Sequence, residues 1–282
     1  MRSTGEMMAL LLGFAQGQED IRLVGMEGSR TNGNIPQDSF QDYDVTYFVR
    51  DMAAFTGDDS WLAAFGTPLI VQKPEDMELF PPEEAGYSYL MLLDDYVKID
   101  LTLLPLDALE DYLNADSLRT VLLDKDGRVG CPVTPSDRDY WVKRPSPRCL
   151  DDCCNEFWML STYVVKGICR DELLFAIDHL HLMRSELLRM LAWQVGEERG
   201  YGFSVGKNYK FLCRYLPPQV WEALLSTYRE DSAWALWQAL STCRRLFGQA
   251  SRQMARALGC PYPGYEERVG KYLDEMREQY GQ

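Results

Sequence analysis

Three carboxylates in strand-like surroundings are the residues of this chain best suited to chemistry. Gly28-Ser29-Arg30 closes the apolar run Ile21-Arg22-Leu23-Val24-Gly25-Met26. Asp42-Tyr43-Asp44 opens a second run, Val45-Thr46-Tyr47-Phe48-Val49, and Asp100 sits inside a third, Val97-Lys98-Ile99-Asp100-Leu101-Thr102-Leu103. Strand side chains alternate between faces, so Asp42 and Asp44 point the same way, about 6.8 Å apart along the backbone. Two carboxylates so placed suit a pair of metal ions roughly 3.5–4 Å apart. Hard oxygen ligands hold Mg²⁺ that keeps waters and substrate phosphates in its other positions. The pattern points to transfer of a nucleotidyl group from a nucleoside triphosphate. One Asp-x-Asp alone reads as ordinary solvated charge at a strand end. A small-residue turn, an Asp-x-Asp and a mid-strand aspartate together reverse that balance. A mid-strand aspartate is unfavourable for strand propensity, and a bound cation supplies a reason for it by offsetting carboxylate repulsion.

The elements that must carry these residues alternate between helix and strand. Ser3-Thr4-Gly5-Glu6 is a capping box, so an amphipathic helix is predicted over about 6–16. Strands follow at 21–26 and 44–49, separated by the Asn-, Gly- and Pro-rich loop around Thr31–Pro36. A broken helical region covers 51–65, and Gly66 caps it. Short strands are predicted at 69–72, 87–93 and 97–104, the last two joined by a hairpin at Asp94-Asp95-Tyr96. In the third of these strands Asp100 shares a face with Lys98 and Thr102, away from Val97, Ile99, Leu101 and Leu103. Beyond the Pro-rich stretch 132–147 the pattern turns helical, with segments at 151–170, 171–195, 218–228, 232–246 and 249–258. The fold class is α+β: a mixed sheet with flanking helices over 1–134, then a helical bundle over 135–282.

Composition narrows the function. The 282 residues carry 29 basic and 43 acidic side chains, a net charge of −14. That charge disfavours a nucleic-acid partner, whose phosphates need a basic face, and favours a cationic substrate. No apolar run reaches the roughly 18 residues of a membrane span, and the start lacks the basic end and cleavage site of a secretory leader. A cytoplasmic location is expected. Of the eight cysteines several lie in apolar runs, Cys169 and Cys213 among them, and are expected as buried reduced thiols. With two histidines, His179 and His181, zinc-ligand spacing is not met. Both histidines are expected on the helix surface or packed.

Longer stretches carry a family likeness. Leu23-Val24-Gly25-Met26-Glu27-Gly28-Ser29-Arg30-Thr31-Asn32, Gln41-Asp42-Tyr43-Asp44, Gln72-Lys73-Pro74-Glu75-Asp76-Met77 and Lys98-Ile99-Asp100-Leu101-Thr102-Leu103 resemble the aminoglycoside 6-adenylyltransferases, the streptomycin adenylyltransferases of the nucleotidyltransferase superfamily. So do Asp151-Asp152-Cys153-Cys154-Asn155-Glu156-Phe157-Trp158 and Val205-Gly206-Lys207-Asn208-Tyr209-Lys210. The resemblance spans nearly the whole chain. It implies a nucleotidyltransferase domain followed by a helical substrate-binding domain, with substrates in the cleft, and transfer of AMP from ATP to a streptomycin hydroxyl with release of pyrophosphate. Asp42 and Asp44 would bind two Mg²⁺ ions and Asp100 would complete the site. Ser29 and nearby backbone N–H groups would contact the triphosphate, and Gly28 would allow close backbone approach. Arg30 reads equally as a phosphate contact or a structural ion pair.

Other residues extend this site. Asp178 lies four residues from both Leu174 and Leu182, so it is predicted to border the apolar stripe of its helix, where it reads equally as a base with raised proton affinity and as an arginine partner or the exposed helix edge; Asp100 is the rival base. Lys207 is a candidate triphosphate clamp from the helical domain. Streptomycin carries two guanidinium groups, so its pocket should hold carboxylates. Glu78 and Glu156 lead here because apolar residues flank them, with Asp178 also at hand; Glu83, Asp94, Asp95 and Asp152 are further candidates. Trp158, Tyr163 and Trp193 read as core. Alternatives stand beside the streptomycin reading: another aminoglycoside, a protein hydroxyl, or a non-catalytic nucleotide-binding regulator. A monomer is expected, with no nucleic-acid or membrane partner.

Overall fold

In the computed structural model, which describes residues 2–82 and 86–281, the chain divides into two units, Met1–Asp139 and Tyr140–Gln282. The first begins with α1 (Thr4–Gly17). Its capping box forms as the sequence predicts: the Ser3 hydroxyl accepts from the Glu6 amide while the Glu6 carboxylate accepts from the Ser3 amide. A mixed six-stranded sheet follows. Its strands are β1 (Ile21–Glu27), β2 (Tyr43–Val49), β3 (Pro68–Gln72), β4 (Tyr87–Leu93), β5 (Lys98–Pro105) and β6 (Arg119–Asp124), in the spatial order β3-β4-β5-β2-β1-β6. Only β2 and β5 pair in parallel; the β4–β5 hairpin is antiparallel, as its turn residues imply. The region over 51–65 forms one short turn, α2 (Ala53–Thr56), and a 3-10 stretch, Asp59–Ala64.

One face of this sheet is a continuous core. Met7, Leu11 and Ala15 of α1 pack with Tyr47, Ile99, Leu101, Tyr89 and Phe65. Buried hydroxyls there find acceptors: Tyr47 donates to the Leu11 carbonyl at 2.8 Å and Tyr89 to the Phe55 carbonyl at 3.0 Å. A smaller apolar cluster forms on the opposite face. There α3 (Leu109–Ala115) lays Tyr112 over Leu23 and Phe48. The alternation of each strand therefore sends apolar side chains to one layer and leaves Asp44, Thr46, Lys98, Asp100 and Thr102 on the other.

The second unit is helical: α4 (Pro147–Cys169), α5 (Leu173–Arg199), α6 (Pro218–Ser226), α7 (Ala233–Leu258) and α8 (Tyr265–Tyr280). Its core joins Phe157 and Phe247, stacked at 3.7 Å, to Leu180, Leu187 and Leu240. Several boundaries differ from those read along the chain. α4 starts at Pro147 because the Ser146 hydroxyl accepts from the Cys149 amide and proline suits the first helical turn; the Pro-rich stretch is a start signal there as well as a break. The segments 232–246 and 249–258 are one helix. Gly248 inside it is no break: a Cβ there would stand 2.7 Å from Glu266 Oε1 of α8, so the missing side chain admits a neighbour. α3, β6 and α8 go unread in the sequence; β6, half-buried along its length, lacks the alternation that marks a strand. Cys153, Cys154 and Cys243 are buried thiols, whereas Cys213 is exposed and Cys169 half-buried, contrary to the apolar runs around them. Among the described residues no helix is long and apolar enough to cross a membrane.

Candidate active site

The parallel register between β2 and β5 sets Asp44 beside Asp100 and Thr46 beside Thr102. Side chains abreast in adjacent strands share a face, so the two carboxylates lie together on the side of the sheet away from α1. On the other flank of β2, Glu27 at the end of β1 pairs with Asp44. Asp42 sits one residue before β2 and joins the group through Lys98. The Lys98 ammonium donates to Asp42 Oδ2 at 2.8 Å and to Asp100 Oδ2 at 2.6 Å. Three carboxylates from two distant segments thus converge.

Their electrostatics are unbalanced. Burial, then the charges of Asp100, Asp42 and Glu27, push the Asp44 carboxyl up to about 7. Burial also raises the Asp100 carboxyl above the usual carboxylate range, against the pull of the Lys98 hydrogen bond. Asp100 Oδ1 is buried and has no hydrogen-bond partner. Buried acceptors are normally satisfied, and one left open calls for a further donor or cation.

The turn after β1 closes against this group. Gly28–Thr31 is a 3-10 turn, and Gly28 has φ +73°, the left-handed region. A Cβ at Gly28 would stand 2.2 Å from Asp44 Oδ2. In this structure the close approach that glycine permits is made by the Asp44 carboxylate. Ser29 follows in the same turn, and its carbonyl accepts from the Gln41 side chain at 3.2 Å. Arg30 is held by structural contacts. Its guanidinium donates to the Asp42 carbonyl at 3.0 Å and the Gln41 carbonyl at 2.7 Å, and stacks 3.7 Å over the Tyr43 ring. It tethers the backbone that presents Asp42. Glu27 is paired to Arg119 at 2.8 Å and accepts from the Thr46 hydroxyl at 3.1 Å.

The remaining predicted residues belong to other segments of the chain. Asp178, on α5, does not border the buried stripe as its helical spacing predicts. Leu174 and Leu182 beside it are 80% and 54% exposed, while Ala176, Leu180 and Met183 carry the buried face. Asp178 is itself exposed, on the edge of the helix. Glu78 is exposed too; its neighbours Leu79 and Phe80 are exposed rather than walls of a pocket. Glu83 lies outside the described residues. Asp94 is exposed at the hairpin. Asp95 is committed to Arg2, whose hydrogen bond holds its carboxyl down at about 2. Asp152 pairs with Arg148 at 3.0 Å. Glu156 lines a groove on the helical unit with Asp152, Glu186, Arg189 and Trp193. Lys207 is exposed in a turn, Lys207–Tyr209, where Asn208 and Tyr209 both have positive φ. Trp158 is core, Trp193 packs against that core while also lining the groove, and Tyr163 is partly exposed. His179 is packed on Phe175 and His181 pairs with Glu230 at 3.0 Å.

Lys98 is the residue that spacing alone failed to single out. Its place two residues before Asp100 puts it on the same strand face, and that was the available signal. Glu186, nearly buried in the groove and 3.3 Å from Arg189, also went unread because it falls within an apolar helical stretch.

Among the described residues no group of three or more His, Cys, Asp or Glu side chains stands preassembled around a metal position. Asp42 and Asp100 instead share the Lys98 ammonium. The donor set nevertheless fits a hard divalent cation. Two of the three carboxylates share one ammonium, one buried oxygen lacks a partner, and Asp44 is crowded by negative charge.

A mixed sheet that gathers carboxylates beside a Gly-Ser turn defines a nucleotidyltransferase-type site, and comparison with known proteins agrees. The profile of the streptomycin adenylyltransferase family matches residues 1–276. The chain is 54% identical to the aminoglycoside 6-adenylyltransferase of Bacillus subtilis over 277 residues, covering 97% of this chain and 98% of that protein. It is 52% identical to the enzyme of the same name from Campylobacter jejuni over 282 residues, covering 100% and 98%. A crystal structure of an aminoglycoside 6-adenyltransferase from Bacillus subtilis, 48% identical, covers 98% of this chain and 99% of that one with a TM-score of 0.49. The chain belongs to the streptomycin adenylyltransferase family and is a nucleotidyltransferase enzyme.

Proposed function

We propose that this enzyme transfers AMP from ATP to a hydroxyl of streptomycin, in the cytoplasm, with release of pyrophosphate. The observation that carries the reading is the convergence of Asp42, Asp44 and Asp100 on one sheet face against the Gly28 turn. Full-length identity to enzymes named aminoglycoside 6-adenylyltransferase supports the choice of acceptor class.

Asp42 and Asp44 would hold two Mg²⁺ ions, with Asp100 completing the set. Held there, Mg²⁺ would supply neutralisation of the triphosphate charge and a lowered proton affinity for the attacking hydroxyl. The protein's own residues do the rest. Ser29 and the amides of the 28–31 turn orient the triphosphate. Arg30 keeps the 41–42 backbone in place through the two carbonyls it binds. The open Oδ1 of Asp100 is the acceptor for the hydroxyl proton. As that proton leaves, the hydroxyl oxygen bonds to the α-phosphorus, the bond from the α-phosphorus to the bridging oxygen breaks, and pyrophosphate departs with that oxygen. Glu156, with Glu186 and the Trp193 face, supplies carboxylates for a guanidinium or ammonium of the substrate.

Mass spectrometry of streptomycin incubated with enzyme, ATP and Mg²⁺ tests this. A mass gain of one AMP unit, with stoichiometric pyrophosphate, is expected. No adduct on streptomycin but one on another aminoglycoside or a protein would replace the acceptor.

A further inference from the structure

The Lys98 ammonium stands within hydrogen-bond distance of one oxygen on each of two carboxylates, 2.8 Å from Asp42 Oδ2 and 2.6 Å from Asp100 Oδ2. It reaches them from the strand that carries Asp100, two residues earlier and on the same face. The side chain is 41% exposed, so no packed layer pins it. One positive charge faces three negative ones: Asp44 has no share in the pairing, and Asp100 Oδ1 remains buried without a partner. A permanent structural ion pair would be expected to satisfy every oxygen it buries. This one leaves the group under-neutralised, and a cation that touches Asp42 and Asp100 at once must contend with Lys98. Lysine suits such a place: a compact charge on a flexible stem can withdraw without disturbing the core, which a planar, forked arginine does less readily.

We propose that Lys98 is a resident countercation of the carboxylate site, holding Asp42 and Asp100 while no metal is bound and giving them up when a divalent cation enters. The inference rests on the metal-site reading above. Lys98 then sets how tightly the metal binds, because every ion must first displace the ammonium. It also lets the metal-free chain tolerate three neighbouring carboxylates.

Mn²⁺ titration at pH 8, with free ion read by electron paramagnetic resonance, tests the competition on the full chain. Lys98→Met should bind Mn²⁺ about tenfold more tightly than wild type, and melt at lower temperature in chelator but not in saturating Mn²⁺. Lys98→Arg, which keeps the charge, should bind no more tightly than wild type. A second measurement uses the wild-type protein and so survives a variant that fails to fold. The rate at which acetic anhydride labels Lys98, read by peptide mass spectrometry, should rise several-fold on adding Mn²⁺. Unchanged or weaker Mn²⁺ binding in a folded Lys98→Met, or a labelling rate that stays flat or falls, overturns the countercation role and leaves the metal site standing. Absence of saturable Mn²⁺ binding in wild type overturns the metal site and this role together.

Discussion

Two cation–carboxylate networks, one in each unit, are built to different ends. In the helical unit Arg184 is 2% exposed. Its Nε donates to the Thr227 hydroxyl at 3.0 Å and its Nη2 to the Thr227 carbonyl at 2.6 Å and to Glu230, while the guanidinium lies 3.8 Å over the Tyr228 ring. Glu230 takes a further contact from His181 at 3.0 Å. That charge is met by a hydroxyl, a carbonyl, a carboxylate and a ring face, all from this chain. Around Lys98 the count is open: one ammonium on two of three carboxylates, and a buried oxygen with no hydrogen-bond partner. Both networks obey the rule that buried charge must be compensated. The first is compensated from within the chain and holds α5 to the segment before α7. The second leaves Asp44 outside the pairing and a buried oxygen of Asp100 without a partner, which is the ground for the metal-site proposal.

The comparison breaks most sharply at Asp44. Asp44→Asn should lower kcat/KM by about 10³-fold or more, since on the proposed mechanism it removes a metal ligand and a negative charge from the site. Far-UV circular dichroism should be unchanged, because the carboxylate sits there against its own electrostatic interest. Turnover near wild type in this variant would end the distinction between the two networks.

The Arg184 network should answer in stability instead. Arg184→Met leaves Glu230 facing a buried vacancy of charge, and should cost about 3–5 kcal/mol in denaturant unfolding while the folded fraction keeps its kcat. A loss below about 1 kcal/mol would mean that the pairing around Arg184 is replaceable.

The smallest effect sharpens the contrast through pH. The Asp44 carboxyl titrates at about 7 in the fold, against about 3.9 in an unfolded chain. Between those values the folded state binds more protons than the unfolded one. The contribution of this group to stability is therefore present at low pH and lost as pH rises through about 7. Melting temperatures in chelator should fall over that window in wild type relative to Asp44→Asn, by about 2–4 °C per kcal/mol. Saturating Mg²⁺ should flatten the difference. Parallel profiles for the two proteins would show that Asp44 is not under charge pressure.

Much of the site was legible because strand phase is a local property. The period of two put Lys98, Asp100 and Thr102 on one face and placed Asp44 opposite in phase to Tyr43 and Val45, and the sheet honours both. The capping box of α1 is equally local, four residues bonding among themselves. Asp178 misled for a physical reason. Helical spacing identifies which residues share a face, but α5 has apolar residues around much of its circumference, and only its neighbours decide which stripe is buried. Gly248 misled in the opposite sense, since a glycine within a helical pattern reads as a stop unless the helix that needs the space is known.

From its amino acids alone this chain specified which carboxylates share a strand face, that a glycine-led turn precedes them, and that the second half is helical. These follow from periodicities and caps that span a few residues. Tertiary structure decided that β2 and β5 lie side by side in parallel, so that residues 44 and 100 meet, and that Lys98 bridges Asp42 to Asp100. It also decided that the space above Gly28 is filled by Asp44. Those are pairings between segments tens of residues apart, set by strand register and by which surfaces the rest of the chain covers, and no local pattern encodes them.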